Sequence, residues 1–172
     1  PDFDTPLNIK EAAKKALDDG HVHYASNYGN DDLREAIADK FKRDNNLEFD
    51  YKKEIMVTVG ANEAVFLTMM AFINPGEEVL VPDPFWPHYF PCVELAGGVP
   101  VSVPIREENG FNPTRDDLLA LCTEKTKMLI VNSPHNPTGA VFTRETLEMI
   151  AEVAIQKNLM VISDEIYEYL IY

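Results

Sequence analysis

From residue 54 onward, short apolar runs alternate with longer segments of helical character: EIMVTVG, ANEAVFLTMMAFINPG, EEVLVPD, PFWPHYFPCVELAGG, VPVSVPI, TRDDLLALC, TKMLIVN, TRETLEMIAEVAIQKN and LMVISDE. Several of the short runs are apolar throughout instead of alternating with polar residues. A strand of that kind must be covered on both faces, which is the condition of a parallel sheet. Five strands separated by helices or crossovers therefore predict an α/β fold, a three-layer sandwich with a mainly parallel sheet and right-handed connections.

Ahead of this alternation the pattern is helical. Thr5 followed by Pro6 reads as an N-cap with proline in the first helical position, and LNIKEAAKKALDDG carries apolar residues at helical spacing up to Gly20. In DDLREAIADKFKRDNN, Leu33, Ile37 and Phe41 recur every four residues, with acidic residues at the start and basic ones near the end. The expected division is a helical N-terminal segment over 1–45 leading into a sheet-based domain over 46–172.

Composition narrows the function classes. A formal charge of -14 opposes general binding to nucleic acid or an anionic membrane, because both carry repelling phosphates. No apolar stretch approaches the roughly 18 residues of a membrane span, and PDFDTPLNIK lacks the layout of a signal peptide, so a cytoplasmic location is expected. Cys92 and Cys122 are isolated and read as reduced thiols. His21, His23, His88 and His135 have no thiol or carboxylate cluster to complete a metal shell.

In an open α/β sheet, ligands bind outside the carboxyl ends of the strands, so those ends are where function is sought. Gly60, Ala61 and Asn62 lie between a strand and a helix, where backbone N–H groups and the helix N-terminus suit a phosphate, although glycine is common at such turns. Trp86, the only tryptophan, follows the next strand and offers either a stacking surface for a flat ligand or a core side chain. NSPHNPTG, residues 132–139, ends a strand on one amide and sets prolines around a second, Asn136, before a helix begins. As an isolated loop it is a polar turn. Asp164 ends LMVIS, with Tyr167 three residues on; a carboxylate there needs a partner, which a protonated ring nitrogen, a distant side chain or a helix N-terminus could supply. Together these features suit a phosphorylated aromatic cofactor.

The segments PDFDTP, HYASNYGNDDLREAIA, VTVGANEA, PDPFWPHY, NSPHNPTGAVF and VISDEIYE occur in an order and spacing that resemble the class I/II aminotransferases, pyridoxal 5'-phosphate enzymes of the aspartate aminotransferase fold. The resemblance implies that residues 46–172 are part of the large cofactor-binding domain. It implies that Asp164 bonds the pyridine nitrogen, that Asn136 and Tyr167 contact the phenolic oxygen, that Trp86 stacks on the ring and that Gly60, Ala61 and Asn62 hold the phosphate. Tyr24 matches a tyrosine that reaches the phosphate of a neighbouring subunit, which implies a homodimer. His135 is expected to pack and not to catalyse.

The pattern departs from the family in places. The family's Schiff-base lysine lies in a Ser-x-Ser-Lys type segment beyond SDEIY, and none of the ten lysines here has that context. The arginine that grips the substrate carboxylate is missing too, and GNDDLR stands where Gly-Ile-Pro is frequent. The expectation is a piece of a longer aminotransferase, acting on an α-amino acid and a 2-oxo acid, without activity by itself. Loss of the last two family strands is expected to leave the first strand separate and to split the other four into two pairs. A C–S lyase of the same fold and a non-enzymatic effector-binding module remain alternatives at this point.

Overall fold

The structure is a computed structural model that describes residues 3–172; Pro1 and Asp2, the start of PDFDTP, lie outside the described residues. The chain forms two compact units, Pro1–Thr58 and Val59–Tyr172.

In the first unit, helix α1 spans Leu7–Asp18 and helix α2 spans Asp31–Lys40, continuing into a wider π turn over Phe41–Asn45. Pro6 is the N-cap of α1 and not its first helical residue, because its ψ of 142° is extended, so the helix starts one position later than the Thr5-Pro6 pair suggests. The carbonyl of Pro6 still accepts from Ile9 and Lys10 N–H at 3.1 and 3.2 Å. Arg34 of α2 is buried, and its Nε donates to the Ile55 carbonyl at 2.9 Å while Val57 N–H donates to the Tyr28 carbonyl at the same distance. Gly29 makes this approach possible: its φ is 95°, and a Cβ there would lie 2.7 Å from the Val57 side chain.

EIMVTVG, expected to be the first of five strands, is not a strand. Residues 55–58 have no regular secondary structure, and Val57 N–H goes to the Tyr28 carbonyl and not to a neighbouring strand. An apolar run becomes part of a sheet only where a partner edge takes its N–H and C=O groups.

The second unit contains helix α3 (Ala61–Phe72), strand β1 (Glu78–Asp83), helix α4 (Tyr89–Leu95) and strand β2 (Val99–Pro104). Helix α5 (Arg115–Leu121), strand β3 (Thr126–Asn132), helix α6 (Arg144–Lys157) and strand β4 (Met160–Asp164) follow. The four strands form one parallel sheet in the order β2-β1-β3-β4. The expected split into two pairs is therefore overturned. β3 pairs with β1 on one side and β4 on the other, which makes the sheet continuous.

Side chains on the central strands alternate between two buried faces, as a parallel sheet between helical layers requires. On one face Val79 and Val81 of β1 and Met128 and Ile130 of β3 pack with Val65 and Met69 of α3 and with Tyr89, Cys92 and Val93 of α4. On the other, Leu80, Leu129, Val131 and Val103 pack with Leu118 of α5 and with Ile150 and Val153 of α6. Helices α5 and α6 start at Thr114 and Thr143, whose hydroxyls accept the N–H three residues on, as N-caps do. Of the two thiols, Cys92 is buried, whereas Cys122 is only half-buried; both are free, and burial pushes both up from their ordinary value. Among the described residues no helix is long and apolar enough to cross a membrane.

Leu129, at the middle of β3, is 1% exposed and packs in the layer that includes Leu118 of α5 and Ile150 and Val153 of α6. Leu129→Ala should lower unfolding stability by about 2–5 kcal/mol, read as a fall in the urea midpoint at constant slope.

Candidate functional site

The parallel register aligns the carboxyl ends of β3 and β4, so that Asn132 stands opposite Asp164. Past these ends lies a cleft of about 220 Å³. Its walls include Gly60, Ala61, Asn62, Trp86, Asn136, Asp164 and Tyr167. Those seven candidates are spread over more than a hundred positions of sequence, and the fold brings them together. The eighth, Tyr24, belongs to the first unit, where it is fully exposed beside Val22 and His23.

One end of the cleft is the start of α3. Gly60 is its N-cap with φ 81° and ψ 166°, a backbone conformation that side-chain-bearing residues seldom adopt. The first-turn N–H groups of any helix have no intrahelical carbonyl, so this end presents donors and the positive end of the helix dipole to an anion. Nothing lies within 4 Å of where a Gly60 Cβ would be, so the glycine serves backbone conformation and not clearance.

Trp86 is 36% exposed and is not a core residue. Its Nε1 donates to Asn62 Oδ1 at 3.4 Å, tying the aromatic wall to the helix start. The His88 ring stacks on the indole, with centroids 5.1 Å apart and planes inclined by 21°.

Asp164 is partnered by a distant side chain, one of the alternatives the sequence left open, and by a nearby main-chain N–H; both are neutral. The Tyr89 hydroxyl donates to its Oδ2 at 2.6 Å and the Ile166 N–H donates to its Oδ1 at 3.2 Å. Tyr89 is 3% exposed, and burial first, then the bond to Asp164 and its charge, raise the phenol far above its usual value. It therefore stays protonated and stays a donor. Among the described residues no lysine or arginine lines the cleft, and the carboxylate is held by neutral donors.

NSPHNPTG forms a turn closed at its base. His135 N–H donates to the Ala140 carbonyl at 2.8 Å, Gly139 N–H to the His135 carbonyl at 2.8 Å, and Phe142 N–H to Ser133 Oγ at 2.9 Å. His135 is 4% exposed, stacks on Phe142 and bonds Thr138 Oγ1 through Nδ1 at 2.8 Å. It is a packing residue of the turn, and it is not among the residues that line the cleft. Asn136 reaches into the cleft, where its Nδ2 donates to the Tyr167 hydroxyl at 3.3 Å.

Sequence reasoning passed over three of the lining residues with polar side chains: Tyr89, His88 and Asn132. Tyr89 meets its partner across 75 positions and Asn132 meets Asp164 across 32, separations at which no local spacing carries a signal.

The buried imidazole of His135 gives a pH prediction. Burial lowers its folded value below the ordinary 6.5, so the unfolded chain binds the proton more readily, and stability contributed by the neutral ring is lost as pH falls below that value. The stability advantage of the wild type over His135→Gln should be largest near pH 7.5 and shrink towards pH 5, as measured by urea midpoints.

The family model for aminotransferase class I and II matches residues 1–172. The chain is 56% identical over 172 residues to an aspartate aminotransferase of Pyrococcus abyssi, covering 100% of this chain and 44% of that protein. It is 51% identical to aromatic-amino-acid aminotransferase 2 of Thermococcus litoralis, again with 100% and 44% covered. The crystal structure of an aromatic aminotransferase from Pyrococcus horikoshii superposes with a TM-score of 0.98 at 54% identity, covering 100% of this chain and 46% of that one. Aspartate aminotransferase from Thermus thermophilus with maleate gives 0.95 at 46% identity, with 100% and 45% covered. The chain thus spans less than half the length of these relatives.

Proposed function

The chain belongs to the class I and II aminotransferase family, and from that premise we propose that its cleft holds pyridoxal 5'-phosphate and that the full-length protein moves an amino group between an α-amino acid and a 2-oxo acid. The observation that carries this reading is the convergence, in one cleft, of a helix N-terminus, an indole, a carboxylate and an amide-hydroxyl pair. These features suit the phosphate, ring face, ring nitrogen and phenolic oxygen of the cofactor.

The start of α3 at Gly60, Ala61 and Asn62 suits a dianionic phosphate through backbone N–H groups and the helix dipole. Trp86 lies at the cleft wall, where an indole can stack on a ring, and its Nε1 is bonded to Asn62. Asp164 is the acceptor that a protonated ring nitrogen needs, and the two donors already on its carboxylate hold it in place. Asn136 and Tyr167 can both donate to a phenolic oxygen, stabilising its anion. When bound, the cofactor supplies an electron sink for the bonding pair released at the substrate carbon.

Among the described residues, none that lines the cleft is a lysine. The residues of this chain therefore bind and orient, and we propose that the amine that acts as covalent partner and proton carrier comes from the part of the relatives' length that this chain does not span. Tyr24 serving the phosphate of a second subunit in a homodimer, and a cytoplasmic location, belong to the same proposal. Aspartate and the aromatic amino acids, named by the relatives, are the first amino donors to assay.

The test uses the full-length protein. Added pyridoxal phosphate should give a visible absorption band, and aspartate or an aromatic amino acid should transfer its amino group to 2-oxoglutarate; absence of the band would overturn the cofactor reading. Asp164→Asn removes a charged acceptor worth about 1.5–3 kcal/mol, so cofactor affinity should fall by about tenfold to a hundredfold in an absorbance titration. Asn136→Ala should cost about tenfold in the same titration and shift the band.

A further inference from the structure

Resting on the cofactor site proposed above, we infer that Asn132 is a positioning residue: its one side-chain amide ties together the two ends of that site, Asp164 and Asn136. Asn132 is the last residue of β3 and is 2% exposed. Its Nδ2 donates to the Asp164 main-chain carbonyl at 3.0 Å, and its Oδ1 accepts the Asn136 main-chain N–H at 2.9 Å. The Asp164 carbonyl also takes the Ser133 N–H at 3.3 Å, so strand end and turn meet on one oxygen.

The amide is used in a single orientation. A carbonyl oxygen needs a donor and an N–H needs an acceptor, so the two ends of the amide cannot be exchanged. A carboxylate at this position has no donor for Asp164, and an aliphatic side chain has neither function. Both ends of Asn132 are committed to protein, so it acts on a ligand through its neighbours.

Those neighbours are the residues proposed to meet the ring nitrogen and the phenolic oxygen of the cofactor. The Asp164 carboxylate is steadied by Tyr89 and Ile166 N–H, and the Asn136 side chain by the Tyr167 hydroxyl. These bonds fix side chains. Asn132 is the side chain that spans the two main-chain segments that carry them, beside the Ser133 N–H bond to the same carbonyl, and so helps to set the separation between carboxylate and amide. A ring that fits only when both ends are at the right spacing makes the contributions of Asn132 and Asn136 interdependent.

A double-mutant cycle in the full-length protein tests this. Pyridoxal phosphate is titrated into the wild type, Asn132→Ala, Asn136→Ala and the double variant, reading the dissociation constant and the wavelength of the visible band, with cofactor-free melting curves to verify folding. Asn132→Ala should weaken binding about tenfold and move the band. The double variant should bind at least about threefold more tightly than the product of the single effects, because the second substitution removes a contact already misplaced by the first.

Single effects that multiply, or a band that stays at the wild-type wavelength in Asn132→Ala, would overturn the inference and leave the amide as a structural link only. Should the alanine variant not fold, Asn132→Ser, which leaves a smaller hole and a hydroxyl, is judged by the same two readouts. If the wild type binds no pyridoxal phosphate, the cofactor reading and this inference both fall. If it binds and only the cycle is multiplicative, this inference alone falls.

Discussion

The parallel pairing of β3 with β4 is the constraint on which the candidate site depends. Its register sets Met128 against Met160 and continues to Asn132 against Asp164, so both strands end level at the same edge. A slip of one residue would turn Asp164 towards the opposite face, because side chains alternate with a period of two. The register is held by burial: Met128 and Ile130 point into one apolar layer, Leu129 and Val131 into the other. Packing on both faces of β3 thus fixes where a carboxylate and an amide meet.

The same arrangement accounts for how a cluster of polar groups survives at the end of an apolar sheet. Each group is partnered by another from a different element. The Tyr89 hydroxyl comes from α4, the Ile166 N–H from the turn after β4, and Asn132 from β3 itself. Burial keeps the Tyr89 phenol protonated, so that it donates to the carboxylate instead of competing with it. The cleft is thus framed by groups from several elements that hold one another in place.

Much of this was legible from the sequence because several signals were local. Apolar runs with no polar alternation pointed to a parallel sheet between helices. Gly60 before a helix, Trp86 between prolines, the paired prolines around Asn136 and the carboxylate after LMVIS each marked a strand end. Where reading failed, the missing information was non-local. EIMVTVG has the composition of a strand but no partner edge, and its Val57 N–H goes to Tyr28. The continuity of the four strands depends on which edges meet, and a linear pattern carries no record of that. Tyr89 looked like one aromatic among several, and its bond crosses 75 positions.

The sequence by itself determined the layer architecture, the helical segments between the strands, and the residue types available at the carboxyl edge. Periodicity, capping and turn chemistry act over a few residues, so they can be read along the chain. The tertiary structure decided the strand order, the neutral partners of Asp164, the rim position of Trp86 and the bridge made by Asn132. Those outcomes depend on which buried surfaces meet and which N–H faces which oxygen, and only folding in three dimensions sets such distances.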